Sequence, residues 1–161
     1  MEPTLNIGDR VIVLKGEIFK QDYDIGEVIV FYPPNEIYER NIFNQYFDAL
    51  QLWNISKDNN YQNSALIKRV VGLPGDSIKI TVDGKVFVNG KQFIVDNVEL
   101  SENYNFLEYS VPKNSVFVLG DNRANSQDSR YIGFIPIENI IGKAKYIIHP
   151  FPNFKNINDW R

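Results

Sequence analysis

The chain has 161 residues, 43% of them apolar and 23% charged, which allows one folded core with a modest lobe and excludes a disordered polymer. A net charge of −3 argues against the basic face on which nucleic-acid binding depends. With no cysteine and one histidine, His149, thiol nucleophiles, disulfides and Cys-ligated metals are excluded, and a His-rich metal site has no ligands to draw on.

The predicted elements are mostly strands. Met1-Glu2-Pro3-Thr4 reads as a turn, without the charged and apolar regions of an export signal. Asp9–Lys15 (DRVIVLK) and Gly26–Tyr32 (GEVIVFY) have the β-branched density of strands, and Pro33-Pro34 stops the second. Ile42, Phe43, Tyr46, Phe47, Leu50 and Trp53 recur at steps of three and four, which predicts one amphipathic helix followed by an Asn-rich loop over 56–64. Ala65–Gly72 returns to strand, with a turn at Leu73-Pro74-Gly75-Asp76. Ser77–Val82 and Lys85–Val88 flank Asp83-Gly84, read as a two-residue hairpin turn with both positions at positive φ, and Asn89-Gly90 repeats the device. Residues 77–95 are thus a meander, and 96–110 are loop with some strand. Ser115–Gly120 is a strand, Asp121–Arg130 a long polar loop, and the last strand lies near residue 147, with a frayed tail beyond Pro150. No apolar run, Val11–Leu14 and Val116–Leu119 included, approaches the ~20 residues of a membrane-spanning helix.

The expected fold is mainly β: an antiparallel core from 1–34, 65–82 and 111–150, a helical insertion at 35–64, and a small β lobe over about 83–110.

Three segments carry possible chemistry. Met1–Asp9 by itself is a turn before a strand. In Ile67–Asp76, Lys68 alternates onto the same strand face as Leu66 and Val70. An ammonium there is penalised by desolvation, which favours the neutral amine and a general-base role; an edge-strand lysine with a solvated head fits the same pattern. Gly120–Arg130 (GDNRANSQDSR) is a polar loop between a strand and an apolar run, a common place for function. Its two Asp and two Arg are positioned to pair and fix the loop, and Ser126 and Ser129 offer hydroxyls. A charged surface loop is the plain alternative.

Together the three segments resemble type I signal peptidases, which cut signal peptides from exported proteins. In that family the first segment reads Ser-Met-x-Pro-Thr-Leu, the second has Lys-Arg ahead of Gly-Leu-Pro-Gly-Asp, and the third reads Gly-Asp-Asn-Arg-x-x-Ser-x-Asp-Ser-Arg. This chain matches from Met1 to Leu5, from Ile67 to Asp76 and from Gly120 to Arg130, in that order.

The resemblance implies a signal-peptidase-type β core and a Ser–Lys dyad endopeptidase with Lys68 as general base. It assigns Ser126 to orienting Lys68, and Asp128 and Arg130, with Arg69 and Asp121, to bracing the site. Met1, Leu5, Leu66 and Ile67 correspond to substrate-binding positions that accept small residues of an Ala-x-Ala signal. The extended substrate is expected to pair with strand edges near 1–5 and 62–68. No metal and no cofactor is implied. The implied partners are signal peptides of preproteins and the cell membrane, through an N-terminal anchor absent from these residues, with the catalytic part on the extracytoplasmic side and no nucleic acid involved. The family's nucleophilic serine directly precedes the methionine that aligns with Met1. The expectation is therefore a signal peptidase shortened at its N-terminus, soluble and inactive as written. The alternative is a Ser-less homologue that binds peptides or a partner. His149, outside all three segments, is expected to be structural or solvated.

Overall fold

A computed structural model describes residues 1–15, 22–34, 65–98, 100, 107–149 and 155–157. The helix expected over 42–53, the rest of the 35–64 insertion, most of the tail beyond Pro150 and the His149 side chain lie outside the described residues.

Eleven strands form among them: β1 (Arg10–Lys15), β2 (Val28–Phe31), β3 (Leu66–Gly72), β4 (Ser77–Ile80), β5 (Val86–Val88), β6 (Lys91–Phe93), β7 (Leu107–Ser110), β8 (Ser115–Leu119), β9 (Ile135–Pro136), β10 (Ile140–His149) and β11 (Lys155–Asn156). A single helical turn, α1 (Ser129–Ile132), follows the polar loop. All pairings are antiparallel and make two sheets, one in the order β1-β10-β2-β3-β8-β9 with β11 against β10, the other β6-β5-β4-β7. The mainly antiparallel β architecture expected from the sequence is the one observed. Among the described residues no helix is long and apolar enough to cross a membrane.

Alternation of side chains explains how the sheets bury themselves. On β2, Ile29 and Phe31 enter one cluster with Val70, Val116, Val118, Ile135 and Ile140, while Val28 and Val30 enter another with Leu5, Ala144, Ile147 and Ile157. This strand is covered on both faces, hence its unbroken apolar run. On β8 the same division sends Val116 and Val118 to the first cluster. Phe117 and Leu119 join a third, with Val71, Ile78, Ile80, Val86, Val88 and Val111, which seals the two sheets together. β4 alternates instead, with Ile78 and Ile80 buried and Ser77 and Lys79 exposed.

Several local expectations change. The hairpin at Asp83-Gly84 is a three-residue loop, Val82-Asp83-Gly84: Ile80 pairs with Val86, the Gly84 N–H donates to the Thr81 carbonyl, and only Gly84 of that pair has positive φ. The Asp83 carboxylate accepts from Thr81 Oγ1 and Lys85 Nζ, which anchors it without a left-handed backbone. Asn89-Gly90 is the true two-residue turn, with φ of 49° and 80° and Val88 paired to Lys91. Among the described residues of 96–110 the strand content is β7, paired along β4. The strand expected near residue 147 begins at Ile140 as β10, and the final strand is β11, which pairs back onto it beyond Pro150. The 120–130 loop ends in α1 because the Asp128 side chain caps its first turn, accepting from the Arg130 N–H at 3.3 Å.

Candidate active site

β3 sets the frame. Lys68 pairs with Ile29 of β2, and on the other side of the strand the ladder with β8 runs through Arg69↔Leu119 and Val70↔Val118. Residues 66–68 extend past the last paired residue of β8. Adjacent residues of β3 therefore present opposite faces at the place where the sheet opens, and each face has its own chemistry.

On the first face Lys68 shares surroundings with Leu66 and Val70, both in or against the first apolar cluster. Burial pushes its amine below the ordinary lysine range. The Asp128 and Asp121 carboxylates pull the other way without restoring it. Gly120 lies alongside: a Cβ at that position would overlap Ser126 Oγ and stand 3.5 Å from Lys68 Cδ. The missing side chain is thus what lets Ser126 approach the lysine stem. Ser126 Oγ is buried and has no hydrogen-bond partner among the described residues. The hydrogen bond to Lys68 that the resemblance implies is not formed in this structure, although the two side chains flank the same point. A buried hydroxyl without a partner is costly, and an amine beside it is a partner of matching chemistry.

The other face carries a buried guanidinium–carboxylate pair. Arg69 donates from Nε to Asp121 Oδ1 (2.9 Å) and from Nη2 to Asp121 Oδ2 (2.6 Å), and its Nη1 donates to the Gly26 carbonyl (2.7 Å). Both residues are 1% exposed, so the two-point contact is shielded from water and salt. Asp128 and Arg130 form a second such pair. Arg130 Nε and Nη2 each donate at 2.8 Å to one oxygen of Asp128, while Asp128 Oδ2 also accepts from the Gly120 N–H at 2.9 Å. Arg130 further donates to the Arg123 carbonyl, Arg123 Nε to the Gly120 carbonyl, and the Val118 N–H to Ser129 Oγ. The polar loop is therefore stitched to the end of β8 at several points. Its charges do not all pair within it, as the sequence suggested: Asp121 reaches across to β3, because Arg69 is the cation that the opposite strand face delivers.

The first residues of the chain form a turn closed by the Leu5 N–H donating to the Met1 carbonyl at 3.0 Å. Residues 1–5 are not a strand edge, which corrects that part of the expected substrate pairing; the edge available among described residues is that of β3. Met1 and Ile67 pack against the cluster that buries Leu5. Leu66 lies on the opposite face with Lys68, since neighbouring residues of a strand point apart. The structure thus brings together Met1, Leu5 and Ile67, and separately Lys68, Leu66, Gly120 and Ser126. Met1 also stands near the lysine. Burial and then the Lys68 charge lower its α-amine, with Asp121 and Glu2 opposing.

Thr4, Gly120, Arg123 and the Gly26 carbonyl carry interactions that the sequence reading did not assign. Thr4 Oγ1 donates to Asp121 Oδ2 at 2.5 Å and accepts from Arg69 Nη2 at 3.3 Å. Its place directly before a leucine bound for the core signals a hydroxyl in need of a partner, which tertiary structure supplies from Asp121 and Arg69.

What this arrangement can do is move a proton. An amine whose pKa is lowered by burial sits beside a hydroxyl, on a scaffold braced by two buried ion pairs.

The chain matches the family model described as signal peptidase, peptidase S26, over residues 1–149. It is 36% identical over 159 residues to a probable signal peptidase I-2 of Synechocystis sp., covering 99% of this chain and 63% of that protein. It is 38% identical over 144 residues to signal peptidase I of Leptolyngbya laminosa, covering 89% of this chain and 62% of the relative. This chain thus spans under two thirds of the length of either. Among solved structures it resembles a signal peptidase I from Enterococcus faecalis with a TM-score of 0.52 and 25% identity, covering 76% of this chain and 96% of that one. The match runs through every segment of the site, from Met1 past Lys68 to the 120–130 loop, and with it this chain belongs to the signal peptidase family.

Proposed function

We propose that this chain is the catalytic region of a membrane-associated signal peptidase, a serine endopeptidase that removes signal peptides from exported preproteins on the extracytoplasmic side of the membrane. The observation that carries this reading is the half-buried Lys68 amine, pushed below its ordinary range, beside the buried, unpartnered hydroxyl of Ser126.

The nucleophile in this reading is a serine joined to the nitrogen of Met1. The closeness of that nitrogen to Lys68, felt as charge repulsion on the Met1 amine, supports it. Lys68 Nζ takes the serine proton as Oγ attacks the scissile carbonyl carbon. The same nitrogen then returns the proton to the departing amine, leaving an ester between serine and the signal peptide. Water, deprotonated by Lys68, hydrolyses that ester and restores the serine. Ser126 orients the amine. Asp128 with Arg130 holds the loop that presents Ser126, and Asp121 with Arg69 holds the base of the turn. Met1, Leu5 and Ile67 line a small apolar pocket for an Ala-like residue, Leu66 contributes from the lysine side, and the substrate backbone adds along the open edge of β3. No metal or cofactor enters these steps.

The test compares two polypeptides acting on a preprotein with an Ala-x-Ala cleavage signal: residues 1–161, and the same residues with serine directly before Met1. Cleavage by the serine-bearing form alone, abolished by Lys68→Ala, is the expected result. Cleavage by residues 1–161, or retained activity in Lys68→Ala, overturns the mechanism. Binding of the signal peptide without cleavage by the serine-bearing form marks a peptide-binding module instead.

A further inference from the structure

The turn that carries Met1 is held to the rest of the molecule in two unlike ways. Leu5 is buried among Val28, Val30, Ala144, Ile147 and Ile157, and Met1 packs against the same cluster; these contacts set depth and are tolerant of small rotations, because apolar burial is non-directional. Thr4, one residue earlier, supplies direction. Its hydroxyl donates to Asp121 Oδ2 and accepts from Arg69 Nη2. Those partners are themselves fixed, Arg69 by its two bonds to Asp121 and its bond to the Gly26 carbonyl. Glu2 and Pro3 before it, and Asn6, Ile7 and Gly8 after Leu5, are exposed. One further tether, from Asn122 Nδ2 to Glu2 Oε2, is exposed and long at 3.4 Å. Among the described residues, the directional hold on the turn therefore comes chiefly from the Thr4 hydroxyl.

We propose that Thr4 is a positioning residue: its hydroxyl, bonded to the buried Arg69–Asp121 pair, orients the Met1–Leu5 turn so that the group carried on the Met1 nitrogen meets the Lys68 amine. This rests on the peptidase reading above, in which that group is the nucleophilic serine. The role is one of aim. Thr4 touches neither the proton in transit nor the scissile bond, and a hydroxyl that merely satisfied Asp121 would affect stability and leave the reaction step alone. A misaimed nucleophile costs rate steeply, because reaction requires the attacking atom in near-attack geometry.

The experiment uses the complete protein as encoded by the gene, with two substitutions and two readouts. Thr4→Val keeps the shape and loses both hydrogen bonds, and Thr4→Ser keeps the hydroxyl. The first readout is amide hydrogen exchange at Leu5, whose N–H closes the turn onto the Met1 carbonyl, and it is independent of activity. The second is steady-state cleavage of a signal-peptide substrate. Expected for Thr4→Val are faster exchange at Leu5 with β3 and β8 amides unchanged, a kcat lower by about tenfold to a hundredfold, and a smaller change in KM, since Leu5 stays seated in its apolar cluster while the Met1 nitrogen loses its aim. Thr4→Ser restores both readouts. Unchanged exchange at Leu5 overturns the tether, and faster exchange with unchanged kcat overturns the positioning role. A rise confined to KM, or a Thr4→Val protein that does not fold, makes Thr4 a structural residue and also overturns it. An unsubstituted protein that cleaves no signal peptide overturns the peptidase reading, and the exchange result then still stands as a statement about the turn.

Discussion

Gly120 and Ser126 are packed so closely that a Cβ on the glycine would overlap the serine Oγ and lie 2.6 Å from its Cβ. The glycine is needed for the space it leaves. Ser126 cannot simply rotate away from an added methyl, because its own Cβ is also too near. The loop that carries it is pinned by Asp128 on the Gly120 N–H and by Ser129 on the Val118 N–H.

Gly120→Ala is accordingly expected to displace Ser126 from the lysine and lower kcat by roughly a hundredfold, with the fold kept. Overpacking of this kind costs about 1–3 kcal/mol. Cleavage kinetics and a thermal melt on the same preparation check it, and near-parental activity would show that the contact with Ser126 has no bearing on the reaction.

The Arg69–Asp121 pair should be among the most expensive to break. Asp121→Ala leaves a guanidinium buried without its two-point acceptor, a loss of about 3–5 kcal/mol, measured by urea unfolding. Arg69→Lys is also expected to destabilise, since an ammonium lacks the planar fork that reaches both Asp121 oxygens and the Gly26 carbonyl.

Lys68 makes stability rise with pH, as a carboxylate of lowered pKa does, but in an alkaline window and by relief of a penalty rather than by gain of a favourable interaction. Its folded-state pKa lies below the ordinary value of 10.5 because of burial. Between the folded value and 10.5 the unfolded chain binds the extra proton, so stability rises with pH across that window, and below the folded value the full penalty applies. Lys68→Met is therefore expected to be more stable than the parent at neutral pH, with the gap closing as pH approaches 10.5. Unfolding curves of both proteins at a series of pH values measure it, and a gap independent of pH would show the amine to be solvated. In the active protein the rate should rise with pH through the same lowered pKa.

Glu27 follows the carboxylate pattern. Burial pushes its carboxyl up, but the hydrogen bond from Lys143, the Asp24 N–H, the Lys143 charge and the Lys145 hydrogen bond outweigh it, leaving the pKa below 4.5. The stability this contributes is complete above 4.5 and is lost as pH falls through the folded value. Glu27→Gln should thus be less stable than the parent at pH 7 and converge with it in acid, as followed by thermal melts.

Much of this was readable in the sequence, and particular residues show where reading stopped. The strand pattern around Lys68, the Asn89-Gly90 turn and the pairing of Asp128 with Arg130 are short-range facts. Backbone preference, alternation and a spacing of two residues decide them. The pattern near Asp83-Gly84 misled because side chains of Thr81 and Lys85 hold Asp83 in a different turn. Alternation already places Leu66 on the face of Lys68, while the resemblance assigns it with Ile67 to substrate binding.

The amino-acid order alone determined the type of fold, the family and the identity of the residues with chemical potential, because strand propensity and motif spacing are local properties. Tertiary structure alone decided which of those residues meet. Thr4 finds Asp121 from 117 positions away, Arg69 finds it from 52, and Ser126 comes to flank the Lys68 stem only where Gly120 leaves room. Such meetings depend on register between strands distant in the chain, and a slip of one residue would turn Lys68 and Arg69 to each other's faces.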